Sequence, residues 1–165
     1  MQIRAATDSD VPAILDIIND EIANSTAIYD YEPRTLQMQM DWFRLKQEEN
    51  MPVIVAVDQE KVLGFATYGI FRPKVAYRFS VEHSIYLASD ARSRGIGTDL
   101  LLELINIAKK AGCHIMIAGI DTSNQISYDF HKKMGFVEVA RFKEIGYKFD
   151  RWLDLVFMQL FLDSN

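Results

Sequence analysis

Arg92-Ser93-Arg94-Gly95-Ile96-Gly97-Thr98 decides how this chain is read, because it lies between a strand pattern and a helix pattern. Upstream, Ser80 to Leu87 reads as a central strand, and Ala88 to Gly97 is a loop. Downstream, Leu101, Leu104, Ile105 and Ala108 recur on one face of a helix from Thr98 to Ala111, which Gly112 ends. Glycines at 95 and 97 permit close backbone approach and conformations barred to other residues. The helix start offers unpaired N–H groups and a partial positive charge, which together suit a pyrophosphate, and Arg92 and Arg94 add charge nearby. By itself Gly-x-Gly before a helix is also an ordinary tight turn. A dinucleotide fingerprint would follow an early strand, and a Walker loop would need a lysine between Gly97 and Thr98. Neither nucleotide motif is present.

Around this loop the period changes along the chain. Gln2 to Ala5 reads as a strand. Thr7 with Asp10 forms a capping-box pattern, and Ile14, Leu15, Ile18 and Ile22 carry a helix to about Ala23. A second helix runs from about Thr35 to Glu48, with Met38, Trp42 and Leu45 on one face. Val53 to Val57 and Val62 to Tyr68 read as a hairpin joined by a turn at 58–61. Phe71 to Arg78 is irregular and basic. Ile115 to Ile120 reads as a strand, and Ser123 to Met134 as a helix before Gly135. Phe136 to Arg141 and Leu155 to Leu162 read as the last strands. This order, β-α-α-β-β-β-α-β-α-β-β, implies an α/β fold with a mixed sheet and helices on both faces.

Composition narrows the function. The chain has 165 residues, of which 49% are hydrophobic, so one domain spanning 1–165 with a real core is expected. A net charge of −5 argues against a nucleic-acid binder, and no apolar run is long enough to span a bilayer. Cys113 is the single cysteine, which excludes an internal disulfide and fits a cytoplasmic setting. The 3 histidines show no metal-ligand spacing, so no metal is expected.

The loop resembles the signature of the GNAT superfamily of acetyltransferases, Gln/Arg-x-x-Gly-x-Gly/Ala, matched here by residues 92–97. A second landmark, an Asn-led helix ending in Gly-Phe, is matched by Asn124 to Gly135-Phe136. Thr26-Ala27-Ile28-Tyr29, Phe71-Arg72-Pro73, Val81-Glu82-His83-Ser84-Ile85-Tyr86 and the stretch from Lys148 to Leu155 resemble the phosphinothricin/methionine sulfoximine N-acetyltransferases. The resemblance covers residues 3–162.

It implies the GNAT fold: a mostly antiparallel sheet whose middle strands splay and admit the pantetheine arm of acetyl-CoA. Backbone groups of Ile85, Tyr86 and Leu87 would pair with that arm, as an added strand does. Amides of Ser93, Arg94, Gly95, Ile96, Gly97 and Thr98 would hold the pyrophosphate, and Asn124 and Ser127 would touch the cofactor from the next helix. Acceptor contacts would fall on Arg72, Pro73, Lys74, Glu82, His83 and Ser84, although alternation along the strand turns His83 away from Glu82. Arg72 and Lys74 would grip an amino-acid carboxylate. Tyr29, Tyr31, Phe71, Tyr77 and Phe79 are aromatic candidates for the pocket wall.

Glu82 is the candidate base. It sits at the start of the central strand, and a partly dry cleft would raise its pKa toward neutrality. His131 is the candidate proton donor to the departing thiolate, with Tyr128 as a substitute. Many members of the superfamily carry tyrosine at the His131 position, while this branch commonly has histidine. The implied partners are a small-molecule amine and a second copy of the chain, with acetyl-CoA as co-substrate. Other amines, such as a polyamine, an antibiotic or a protein N-terminus, are the alternative acceptors, and a non-catalytic acyl-CoA-binding module is the alternative class.

Overall fold

Val53, Ile54, Val55, Ala56 and Val57 are all buried, so both sides of this strand must be covered. The computed structural model describes residues 1–162 and supplies both covers. The elements are β1 (Gln2–Ala5), α1 (Val11–Asn24), α2 (Leu36–Glu48), β2 (Val53–Asp58), β3 (Lys61–Ile70) and β4 (Ser80–Leu87). They continue as α3 (Ile96–Lys110), β5 (Ile115–Asp121), α4 (Gln125–Lys133), β6 (Val137–Lys148) and β7 (Arg151–Phe161). Among the described residues seven strands form one sheet, in the order β1-β2-β3-β4-β5-β7-β6. Only the β4–β5 pair is parallel.

Two cores follow from strand alternation. On one face Val53, Val55 and Phe65 pack with Ile14, Ile18 and Ile22 of α1 and Phe43 of α2. On the other, Ile54, Ala56 and Ala66 pack with Leu100, Leu101 and Leu104 of α3 and with Met116, Phe136 and Met158. Each such fully buried aliphatic side chain contributes roughly 1.5–3 kcal/mol of transfer free energy. None of the described helices is long and apolar enough to cross a membrane.

The expected elements are present, with two differences. In α2 the buried residues are Gln39 and Phe43, whereas Met38 and Leu45 are exposed and Trp42 is half-buried. The helix is rotated so that Trp42 and Lys46 line a pocket, with Trp42 also packed edge-on against Phe65 of the core. The last two strands are also much longer than expected, extending through 142–148 and 151–154. They close in a two-residue turn at Phe149 and Asp150, whose φ values of 53° and 55° are both left-handed. That geometry is the usual tight hairpin, but Phe-Asp carries none of its Gly or Asn signal. A bulge between Phe142 and Gly146 further breaks the alternation that marks a strand.

Candidate active site

The centre of the sheet opens where the sequence reading places the cofactor. β4 pairs with β5 only at Ser80, Val81 and Glu82, then continues to Leu87 bound on its other side to β3. Ile85 and Leu87 therefore present backbone N–H and C=O groups toward the gap between β4 and β5, whereas those of Tyr86 pair with Phe65 of β3, which corrects the expectation for Tyr86. Buried backbone groups require partners, so this edge is ready for an extended amide-bearing arm.

The loop at 92–98 lies past the end of β4. Ser93 (φ 61°) and Gly95 (φ 80°) are left-handed, and α3 begins at Ile96. Thr98 N and Asp99 N both donate to Gly95 O, at 3.0 and 3.2 Å, so the amides before them have no acceptor within the helix. Of the two arginines, Arg94 is exposed at the loop. Arg92 instead turns to α1, where Nη2 donates to Glu21 Oε1 at 2.6 Å. Glu21 also accepts from Ser25 Oγ at 2.5 Å. Asn124 is the N-cap of α4, its Oδ1 accepting from Ser127 N at 3.0 Å.

Glu82 faces a pocket on the α1–α2 side of the sheet, with Arg34, Trp42, Lys46, Thr67, Ser84 and Tyr86 among its lining. Burial raises the Glu82 pKa, and the Arg72 guanidinium nearby partly opposes it. Gly119 of β5 makes room for this carboxylate: a Cβ there would lie 3.0 Å from Glu82 Oε1. Lys46 donates to Tyr68 O at 2.8 Å, and burial lowers its pKa. A carboxylate of raised pKa beside an open strand edge can take a proton from an amine delivered to that gap.

A model of the Acetyltransferase (GNAT) family matches residues 14–136, most of the chain. The chain is a GNAT acetyltransferase. It is 43% identical over 164 residues to the L-methionine sulfoximine/L-methionine sulfone acetyltransferase of Pseudomonas aeruginosa PAO1, covering 99% of this chain and 95% of that one. It is 35% identical to the phosphinothricin N-acetyltransferase of Alcaligenes faecalis, covering 99% of this chain and 83% of that one. The acetyltransferase yncA of Salmonella typhimurium, solved with its cofactor acetyl-CoA, superposes with a TM-score of 0.97 at 36% identity, over 100% of this chain and 95% of that one. The protein is thus an acetyl-CoA-dependent N-acetyltransferase with the GNAT fold. Among its described residues no group of three or more His, Cys, Asp or Glu is placed to hold a metal ion.

In this acetyltransferase Glu82 and Ser84 share the pocket, while His83 alternates to the opposite face. There its ring stacks on His131 with centroids 5.1 Å apart, and both pack against Phe136. His131 Nδ1 lies 2.7 Å from Ser127 O, a pure acceptor, so Nδ1 carries the proton. In the neutral ring the Nε2 lone pair then receives His83 Nε2–H across 3.2 Å. His83 Nδ1 is left without a partner. Burial lowers both pKa values, that of His83 to about 3 with His131 adding to the effect. Tyr128 is turned outward, its hydroxyl donating to Glu138 at 2.8 Å.

His131 and Glu82 lie on opposite sides of β4, and the Nε2 lone pair of His131 is engaged by His83. His83 likewise does not line the Glu82 pocket. Arg72, Pro73 and Lys74 are exposed beyond its rim, with Arg72 stacked 5.2 Å from the Phe71 ring centroid. The pocket's aromatic walls are Trp42, Phe65, Tyr68 and Tyr86, in place of Tyr29, Tyr31, Phe71, Tyr77 and Phe79. Arg34, Trp42 and Lys46 were missed because sequence neighbourhood does not join an α2 face to the start of β4. The one available signal was a Trp42–Lys46 pair at helical spacing.

Proposed function

We propose that the enzyme acetylates the amine of a small amino-acid-like acceptor, with methionine sulfoximine, methionine sulfone and phosphinothricin as its substrates, by direct transfer within a ternary complex. The observation carrying this reading is Glu82: a half-buried carboxylate of raised pKa at the last β4–β5 pair, facing a pocket and adjoining the strand gap. Bound acetyl-CoA supplies the activated acetyl thioester and departs as the thiol. Glu82 takes the proton from the acceptor amine, directly or through a water. The backbone at 85 and 87 aligns the pantetheine arm, and the amides at 93–98 with Asn124 and Ser127 hold the rest of the cofactor. Arg72 and Lys74, exposed beyond the rim, take the acceptor carboxylate. His131 serves as the proton donor in this reading only once its Nε2 leaves His83 and takes up a proton.

Arg34 and Lys46 favour an acceptor carrying negative or polar oxygen and disfavour a polyamine, whose cations they repel. A homodimer accompanies this reading. Val137, Val139, Ile145, Tyr147 and Trp152 are exposed apolar residues along the β6–β7 hairpin, a pattern that marks an interaction surface. Light scattering measures it.

The deciding experiment is CoA release with methionine sulfoximine, phosphinothricin, spermidine and a peptide amine as acceptors. Turnover on the first two alone supports the reading. Turnover on spermidine or the peptide amine moves the function to those acceptors, and bound acetyl-CoA without turnover on any acceptor overturns it.

A further inference from the structure

The segments 26–29 and 148–155, remote in sequence, meet in the fold. The side chain of Lys148, next to the hairpin turn, points inward and is only 4% exposed. A lysine at such a turn ordinarily reaches into water. Here Nζ donates to two carbonyls of the α1–α2 loop, Ser25 O at 2.8 Å and Ile28 O at 2.7 Å. Burial lowers its pKa, and Asp30 and Glu21 oppose this at longer range. The two preceding residues of β6 hold the same loop. Gly146 underlies the ring of Tyr29, since a Cβ there would come within 2.6 Å of Tyr29 Cε2. The Tyr31 hydroxyl donates to Tyr147 O. Tyr29 itself donates to Asp121 Oδ2 at 2.9 Å, at the end of β5.

This loop is also a wall of the Glu82 pocket, to which it contributes Ile28 and Arg34. Asn19 holds its far end through Arg34, accepting from Arg34 N at 2.8 Å and donating to Arg34 O at 3.0 Å. The near end is braced from α1, where Ser25 Oγ donates to Glu21 Oε2 at 2.5 Å and accepts from Ala27 N at 3.1 Å, but this leaves its carbonyls at 25 and 28 unserved. Those carbonyls instead depend on one buried ammonium, and without a donor such carbonyls would seek water.

We propose that Lys148 is a positioning residue for the acceptor: it seats the loop 25–34 on the hairpin so that Ile28 and Arg34 close their side of the pocket. The proposal rests on the reading of that pocket as the acceptor site. Lys148 touches neither reactant, so its effect belongs to acceptor binding and not to the cofactor.

The test uses the full chain with Lys148→Met and Lys148→Arg, reading the KM of methionine sulfoximine, the KM of acetyl-CoA, and hydrogen exchange of the amides at 26–34 in the free protein. Lys148→Met raises the acceptor KM at least about tenfold and leaves the acetyl-CoA KM within about twofold. It also speeds exchange in the loop, and Lys148→Arg, which keeps the donor charge, restores much of both losses. Parallel rises in the two KM values, or unchanged loop exchange, overturn the proposal. Should Lys148→Met fail to fold, Tyr29→Phe removes one loop anchor while keeping the ring. It raises the acceptor KM selectively, and an unchanged acceptor KM overturns the proposal. Loop exchange does not depend on turnover, so it decides the seat of Lys148 even in a protein silent toward every acceptor, an outcome that overturns the functional reading instead.

Discussion

The Nε2 atoms of His83 and His131 lie 3.2 Å apart on the face of β4 opposite Glu82, and the pair is held neutral by burial. Folding depresses both pKa values, so the unfolded chain binds protons that the folded chain refuses. Stability is therefore fully present above the ordinary histidine range and falls as pH drops from there toward about 3, the value for His83. The slope is at most ~1.4 kcal/mol per pH unit for each histidine. Denaturant unfolding at pH 7 and pH 5 measures it. His83→Phe, which keeps a ring and removes the titrating group, flattens that difference. An equal pH dependence in the variant would show that the pair is not the source.

Glu82 carries the next expectation. Glu82→Gln keeps the shape of the side chain and removes the base, lowering kcat by ~10²-fold or more. In the native enzyme kcat/KM rises with pH as Glu82 loses its proton, and burial puts that rise above the ordinary carboxylate range. Stopped assays of CoA release across pH locate the limb.

Arg72 opposes the upward shift of Glu82 through its charge. Arg72→Ala removes that opposition, so the acid limb of the profile moves to higher pH. If Arg72 also receives the acceptor carboxylate, the KM for an amino-acid acceptor rises far more than the KM for acetyl-CoA. Equal changes in both constants would remove Arg72 from acceptor recognition.

Gly119 tests how closely Glu82 must be placed. An added Cβ meets Glu82 Oε1 at 3.0 Å and Phe157 Cε1 at 3.3 Å. The flexible carboxylate yields first, so Gly119→Ala costs about 1–3 kcal/mol or less in stability. Its kcat falls roughly tenfold, because misplacing a reacting group by part of an ångström is expensive. Thermal unfolding beside steady-state kinetics separates the two effects.

Gly95 is left-handed at φ 80°, with open space where a Cβ would sit. Gly95→Ala therefore adds backbone strain without a clash, about 1–2 kcal/mol. The loop relaxes toward an ordinary turn and its amides lose alignment, so the acetyl-CoA KM rises while the acceptor KM changes little. Isothermal titration with acetyl-CoA reads this directly.

Much of the molecule is local enough to be read from residues in order. The apolar period of α1 and α3, the continuous run of β2, the Asn124 cap and the Gly95 turn each depend on neighbours within a few positions, where backbone preference and burial act together. Alternation alone also turned His83 away from Glu82. The splay is different, since β4 loses β5 beyond Glu82 only when both strands have been placed. The hairpin turn at Phe149 and Asp150 is set by the strands it joins and has no turn chemistry of its own. The engagement of Arg92 with Glu21, the Arg34–Trp42–Lys46 wall and the inward Lys148 are contacts between distant segments. Sequence by itself determined the family and the fold, and it named the candidate base. Only the tertiary structure decided which charges remain free for ligands, because a side chain's partners are set by packing across the sheet and not by its position along the chain.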